Sequence, residues 1–169
     1  MAAGRSIRTS GNIIDIMRFL ELRVPPPVVA LLVALAMWGA SRESAAPAAP
    51  DLVRVPLAIA LAVVGAAFDV SGFLAFRRAR TTINPMKPRS ASSLVESGVY
   101  RVTRNPMYVG LLFMLCGWTV FLWSWWALPG PLAFAAYIGR FQIAPEEKAL
   151  AALFGARYLA YKARVRRWL

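Results

Sequence analysis

The chain has 169 residues, of which 59% are hydrophobic, and it carries a formal net charge of +12. This apolar fraction is well above the ~45–50% of soluble domains, so the sequence indicates an integral membrane protein with a single domain. It contains no histidine and one cysteine, Cys116, which excludes histidine catalysis and an internal disulfide, and we expect no metal site.

The first half of the chain predicts one interfacial helix and two membrane spans. Residues 12–24 place apolar side chains at helical spacing between charged ones, which is typical of an amphipathic helix on a membrane surface. Residues 24–41 and 52–76 are apolar runs, and as helices they reach or approach the ~30 Å thickness of the hydrocarbon layer. The second run carries Asp69, a carboxylate at membrane depth that is either functional or paired with a nearby arginine.

The second half predicts two more spans on either side of an aromatic turn. A basic loop over residues 77–104 leads to a third apolar run at 107–123. Three tryptophans and the Pro-Gly-Pro sequence at 129–131 then indicate a membrane interface and a tight turn. The fourth run, 132–143, covers only ~18 Å as a helix. The Pro-Glu-Glu sequence at 145–147 opens a final helix, since proline and acids are favoured in a first helical turn.

These elements predict an all-α, polytopic membrane protein with about four transmembrane helices, an N-terminal amphipathic helix and a C-terminal cytoplasmic helix. Within one domain, residues 1–23 form the interfacial segment, 24–80 two spans and 81–169 the core that carries the motifs. The N-terminal segment, the central loop and the C-terminal segment hold four, seven and seven of the twenty lysines and arginines. Because cytoplasmic loops are enriched in these residues, we expect a cell-membrane protein with both termini in the cytoplasm. The charge would face anionic lipid headgroups, and nucleic acid is not required as a partner.

Residues 98–110, Gly-Val-Tyr-Arg-Val-Thr-Arg-Asn-Pro-Met-Tyr-Val-Gly, join the basic loop to the third span. Pro106 suits the first position of a helix, so Arg104 and Asn105 are expected to cap the N-terminus of that helix. A helix start offers free N–H groups to an anionic ligand group. Because the fourth span returns to the membrane face at which the third span begins, the acids Glu146 and Glu147 are expected beside the N-terminus of the third span. The predicted cavity suits a zwitterionic ligand and a substrate dissolved in lipid.

Taken together, these two segments resemble a known family. The pattern resembles the integral membrane methyltransferases, namely the isoprenylcysteine carboxyl methyltransferases and the related phospholipid methyltransferases, and is similar to bacterial-type members. The resemblance covers residues 81–167, roughly half of the chain. The residues that carry it are Leu94, Val95, Gly98, Tyr100, Arg104, Asn105, Pro106, Met107, Tyr108 and Gly110, followed by Glu146, Glu147, Leu150, Phe154, Gly155, Tyr158 and Tyr161.

The resemblance implies a methyltransferase that uses S-adenosylmethionine at the cytoplasmic face. The carboxyl methyltransferases usually have histidine where this chain has Asn105, which leaves the acceptor open. The candidate acceptors are a prenylated thiol acid, a phospholipid amine and another isoprenoid or fatty carboxylate. Carried over by position, the implied cofactor site comprises Leu94, Val95, Tyr100, Asn105, Pro106, Met107, Tyr108 and Glu146.

Candidate catalytic residues are Arg104, Arg140 and Glu147. Either arginine would orient a carboxylate acceptor, whereas Glu147 or Asp69 would take a proton from an amine acceptor. A carboxylate also suits the ammonium group of the cofactor, and an arginine its carboxylate. Two other functions stay open at this point: an NADPH-dependent reductase of the steroid 5-alpha-reductase type, and a non-catalytic membrane protein.

Overall fold

The computed structural model describes residues 21–42, 51–79 and 93–169, and helices make up the regular structure of this part. The expected all-α class is therefore confirmed for the described residues. The described residues form six α-helices, which are α1 Pro26–Arg42, α2 Asp51–Ala79, α3 Pro106–Leu122, α4 Pro129–Ile138, α5 Ala144–Phe154 and α6 Ala156–Arg164. Short 3-10 turns lie at Gly98–Arg101 and Trp125–Ala127, and a π-helical turn lies at Gly139–Ile143.

The apolar helices differ in how well they match a membrane. Among the described residues, α2 is the one helix whose length and composition suffice to cross a bilayer, with 29 residues. The helices α1 and α3 are apolar but have 17 residues each. Residues 12–20 of the predicted amphipathic helix lie outside the described residues, and residues 21–24 form a turn.

α2 and α3 pack against each other through small residues spaced seven apart. Ala58, Gly65 and Gly72 face the partner from α2, and Gly110 and Gly117 from α3. A Cβ atom on Gly65 would lie 2.6 Å from the carbonyl oxygen of Gly110, and one on Gly117 would lie 2.8 Å from that of Ala58. Small residues at helix interfaces permit such close backbone approach. The result is a tight helix pair that forms one side of the cavity described below.

α1 and α4 pack on the other side of α3. The indole N–H of Trp118 on α3 donates a hydrogen bond to the carbonyl of Ala34 on α1, at 3.0 Å. Burying these apolar faces holds the starts of α1 and α3 close together. The core comprises Val29, Ala30, Met37, Tyr108, Leu115, Ala127, Phe134, Ile138 and Ile143.

The turn between the third and fourth apolar runs differs from the prediction. The chain reverses at Trp123, whose φ of 49° is left-handed, whereas the Pro-Gly-Pro sequence forms the first turn of α4. Proline is well tolerated there because the first N–H groups of a helix have no partner within it. α4 then passes through the π turn into α5 without a break, so Pro145 does not start a separate helix. Gly155, with φ +53°, separates α5 from α6.

Candidate active site

A cavity of about 590 Å³ lies among the starts of α1, α3 and α5, the second half of α2 and the middle of α6. Its volume falls within the ~300–1,000 Å³ usual for small-molecule sites. All eight predicted cofactor residues line it, and so do Arg104 and Glu147. The remaining lining residues are Pro25, Pro26, Pro27, Asp69, Val70, Phe73, Phe76, Ser93, Leu111, Leu150, Tyr158 and Tyr161.

The segment that precedes α3 is held against α2 and α6 by Tyr100. The ring of Phe76 meets the Tyr100 ring edge to face, with centroids 5.5 Å apart. The hydroxyl of Tyr161 donates to the Tyr100 carbonyl at 2.8 Å. Val95 and Ala75 are buried in the same small cluster. These contacts place the segment from Ser93 onward as an apolar side of the cavity.

Glu147 is buried and bound by three cations. Its carboxylate lies 3.1 Å from Arg104 and 3.1 Å from Lys162, and Arg167 donates to both oxygens at 3.1 and 2.8 Å. Burial by itself raises the pKa of Glu147, but hydrogen bonds from Arg167 and Lys162 and the charge of Arg104 outweigh it and lower the pKa. A carboxylate held in this way stays ionised, which suits an anchor better than a proton acceptor.

The adjacent acid, Glu146, has a different environment. It is partly buried, and its carboxylate accepts one hydrogen bond, from the Tyr108 hydroxyl at 3.1 Å. Burial raises the pKa of Glu146 to about 7, the charge of Glu147 adds to this, and the hydrogen bond from Tyr108 opposes it. Glu146 therefore changes charge near neutral pH and is suited to receive a ligand cation.

One nitrogen of the Arg104 guanidinium has no hydrogen-bond partner among the described residues. The terminal nitrogens of Arg104 bind the Glu147 carboxylate at 3.1 Å and the Lys162 carbonyl at 3.2 Å. Its Nε is buried and has no hydrogen-bond partner among the described residues. A buried donor without a partner is costly, so an anionic ligand group beside it would be stabilised. Arg104, Glu146 and Glu147 together form what we call the polar wall of the cavity.

Asn105 occupies the N-cap position of α3 but makes no capping bond with its side chain. Its amide instead donates to the Arg167 carbonyl at 2.8 Å, and the Arg104 N–H donates to the Arg166 carbonyl at 3.0 Å. The hydroxyl of Thr103 also reaches the Arg167 carbonyl, at 3.3 Å. Arg166 and Arg167 are thus held against the segment that precedes α3. Sequence reasoning missed these two residues because backbone carbonyls, which every residue has, accept these bonds.

Arg140 is the predicted site residue that the structure does not bring to the cavity. It lies on the π turn, and its guanidinium pairs with Glu21 at 2.9 Å and covers the ring of Phe141. Its side chain is 46% exposed. Arg140 therefore fixes the turn that precedes α1 against the π turn.

Asp69 lines the cavity from α2, beside Val70, Phe73 and Phe76, and these four residues form what we call the α2 wall. One of its oxygens, Oδ1, is buried without a hydrogen-bond partner in the described part of the chain. The arginine pairing considered from the sequence is not seen there, since Arg77 instead covers the ring of Phe73.

Comparisons with known proteins place the sequence of this chain in a family. The profile of the phospholipid methyltransferases matches residues 53–157. An uncharacterised protein of Haemophilus influenzae is 46% identical over 63 residues, which are 37% of this chain and the whole of that protein. No solved structure matches the chain significantly.

A helical chain with this match is a methyltransferase of the membrane-associated class. More narrowly, the chain belongs to the phospholipid methyltransferase family, within the wider group that includes the isoprenylcysteine enzymes. The resemblance seen in the sequence is confirmed. The matched region contains α2 to α5 and the polar wall, and it ends at Arg157 in α6.

Proposed function

We propose that this protein transfers a methyl group from S-adenosylmethionine to a lipophilic acceptor held in the membrane. The observation that carries the proposal is that Glu146 and Arg104 line one cavity, and that the Nε of Arg104 has no hydrogen-bond partner among the described residues. When bound, S-adenosylmethionine supplies a methyl group on a sulfonium. Its amino-acid end has one carboxylate and one ammonium, which Arg104 and Glu146 complement by charge-assisted hydrogen bonds.

The rest of the cofactor site has the chemistry that such a ligand requires. Tyr100 and Tyr108 offer aromatic faces, which attract cations such as a sulfonium. Leu94, Val95 and Met107 offer an apolar enclosure for a nucleoside. We assign the protein's main contribution to holding the reacting groups in line, since methyl transfer is a direct displacement.

The α2 wall and the start of α1 support a lipophilic acceptor. Val70 and Phe73 line the cavity and are also largely exposed on the protein surface, at 56% and 43%. We propose that α1, α3 and α4 cross the membrane together with α2, as one domain, so that these side chains meet the acyl region. Both termini then lie in the cytoplasm of a bacterial cell, with the basic residues beside anionic headgroups.

Calorimetry on the purified protein in detergent tests the cofactor. We expect S-adenosylmethionine to bind and NADPH not to bind. Glu146→Ala and Tyr108→Ala should weaken binding at least tenfold, whereas Glu96→Gln, a change in an exposed ion pair, should not. Binding of NADPH alone would replace the proposal with a reductase, and binding of neither would favour a non-catalytic protein.

Transfer itself is measured with cells fed methyl-labelled methionine. The lipid extract of cells that contain the protein should hold a labelled lipid that is missing when Glu146→Ala replaces the native chain. An identical lipid pattern in the two extracts would count against a lipophilic acceptor.

A further inference from the structure

Arg167 is not one of the motif residues, yet it contacts both motif segments. Its backbone carbonyl accepts hydrogen bonds from the Asn105 amide at 2.8 Å and from the Thr103 hydroxyl at 3.3 Å. Its guanidinium donates to both oxygens of Glu147, at 3.1 and 2.8 Å. One residue near the C-terminus therefore joins the segment that precedes α3 to the first turn of α5.

The backbone around Arg167 is held by contacts that do not involve its guanidinium. The N–H of Arg104 donates to the Arg166 carbonyl at 3.0 Å, and the side chain of Trp168 packs against the apolar core. The guanidinium thus extends from a fixed stretch of chain. It reaches Glu147 as a planar fork, whose geometry matches that of a carboxylate.

Glu147 links Arg167 to the cavity. Its side chain lines the cavity, is 8% exposed and binds Arg104, another lining residue, at 3.1 Å. Lys162 adds one contact to Glu147 at 3.1 Å, whereas Arg167 binds both oxygens. Two parallel contacts from a planar group restrict the rotation of a carboxylate more than one contact from a flexible lysine does. Without Arg167, the carboxylate of Glu147 is free to turn, and the contact to Arg104 changes with it.

We propose that Arg167 is a positioning residue of the cofactor site, which fixes the two motif segments relative to each other. Arg167 is not among the described residues that line the cavity, so it acts through Glu147 and Arg104. A site that is held in its binding arrangement loses less conformational freedom when a ligand binds, which increases the affinity. The identity of that ligand rests on the proposed function, but the geometry does not.

The affinity for S-adenosylmethionine, measured by calorimetry on the full chain in detergent, tests the consequence for binding. Arg167→Gln removes the fork and should weaken binding about tenfold, because the ligand must then order the site. Arg167→Lys keeps the charge but not the fork, and it should recover part of the loss. Arg164→Gln is the matched control and should bind as the native chain does, since Arg164 pairs with Glu96 and is 69% exposed. Native affinity in Arg167→Gln, or an equal loss in Arg164→Gln, would overturn the proposal.

Spin labels test the geometry without any cofactor. Arg101→Cys and Lys148→Cys place labels at exposed positions before α3 and on α5, in a chain that also carries Cys116→Ala. Pulsed electron paramagnetic resonance in nanodiscs then measures the distance between the labels. We expect a narrow distribution with Arg167 present, a broader one with Arg167→Gln, and no change with Arg164→Gln. The same narrow distribution in Arg167→Gln would overturn the proposal.

The two measurements separate this inference from the proposed function. If the native chain does not bind S-adenosylmethionine but Arg167→Gln broadens the distance distribution, the proposed function fails and the positioning role of Arg167 stands. If the native chain binds the cofactor and Arg167→Gln changes neither the affinity nor the distance, the positioning role fails and the proposed function stands.

Discussion

The carboxylates of Glu147 on the polar wall and of Asp69 on the α2 wall have opposite environments. On the polar wall, Glu147 is bound by Arg104, Lys162 and Arg167, so its charge is neutralised within the protein. On the α2 wall, Asp69 has a buried oxygen without a partner among the described residues. The first arrangement builds the site and fixes it in place. The second leaves a carboxylate oxygen without a compensating contact in the described part of the chain.

The same contrast exists between two neighbours in the chain. Glu146 and Glu147 follow one another at the start of α5, yet burial raises the pKa of Glu146 whereas the arginines and Lys162 lower that of Glu147. Residue type and position in the sequence do not distinguish the two acids. What distinguishes them is the C-terminal segment, which brings Arg167 to one of them.

The largest effect is expected from removing the anchor of the polar wall. Glu147→Gln leaves three cations clustered without an opposing charge, and it should lower the free energy of unfolding by about 3 kcal/mol. The matched control is Glu96→Gln, which also breaks contacts to two arginines, Arg157 and Arg164. Those arginines are 65% and 69% exposed, and the control should cost less than about 1 kcal/mol. Unfolding in detergent micelles measures both, and equal losses would show that the polar wall is no stronger than a surface ion pair.

A smaller effect is expected at the helix contact behind the α2 wall. Gly65→Ala would force its new methyl group against the carbonyl of Gly110, and we expect a loss of about 2 kcal/mol from overpacking. Gly39→Ala on α1 is the control, since nothing lies within 4 Å of the added carbon. It should leave stability unchanged or raise it by about 0.5–1 kcal/mol. If thermal unfolding in detergent shows Gly65→Ala to be as stable as Gly39→Ala, α2 and α3 do not pack as described.

The smallest effect concerns pH. With a pKa of about 7, Glu146 is mostly protonated at pH 6 and cannot pair with the cofactor's ammonium. The affinity for S-adenosylmethionine should therefore rise about fivefold from pH 6 to pH 7. The amino group of the cofactor stays largely protonated over this range, because the pKa of an α-amino group is ~7.7–8.0. Calorimetry at the two pH values measures the change. Glu146→Gln should bind more weakly and lose the pH dependence, and an unchanged dependence in that variant would assign it to another group.

Much of the fold could be predicted from the sequence because apolar runs and prolines act locally. The predicted runs 24–41, 52–76 and 107–123 coincide with α1, α2 and α3 to within a few residues. The fourth run could not be placed as well, since Pro145 is compatible both with a helix start and with a helix that continues through a π turn. Proline favours the first turn of a helix, but the residues before it decide whether the chain breaks.

The site was predictable to the extent that its residues form a motif. Most residues of the two motif segments line one cavity, as expected from two segments that lie close together. The partners of Arg104, Asn105 and Glu147 were not predictable, because they depend on where the C-terminal segment lies. The lack of a hydrogen-bond partner for Asp69 Oδ1 among the described residues was equally unpredictable, since it follows from the packing of α2 on Gly110.

The most direct test of the account is to find where the cofactor binds. Methyl-labelled S-adenosylmethionine is cross-linked to the full chain by ultraviolet light, with and without excess unlabelled cofactor, and the labelled peptides are identified by mass spectrometry. We expect competable label in residues 94–108 or 146–161, which form the two sides of the proposed cofactor site. Competable label confined to α1 or to α4, away from the cavity, would contradict the account.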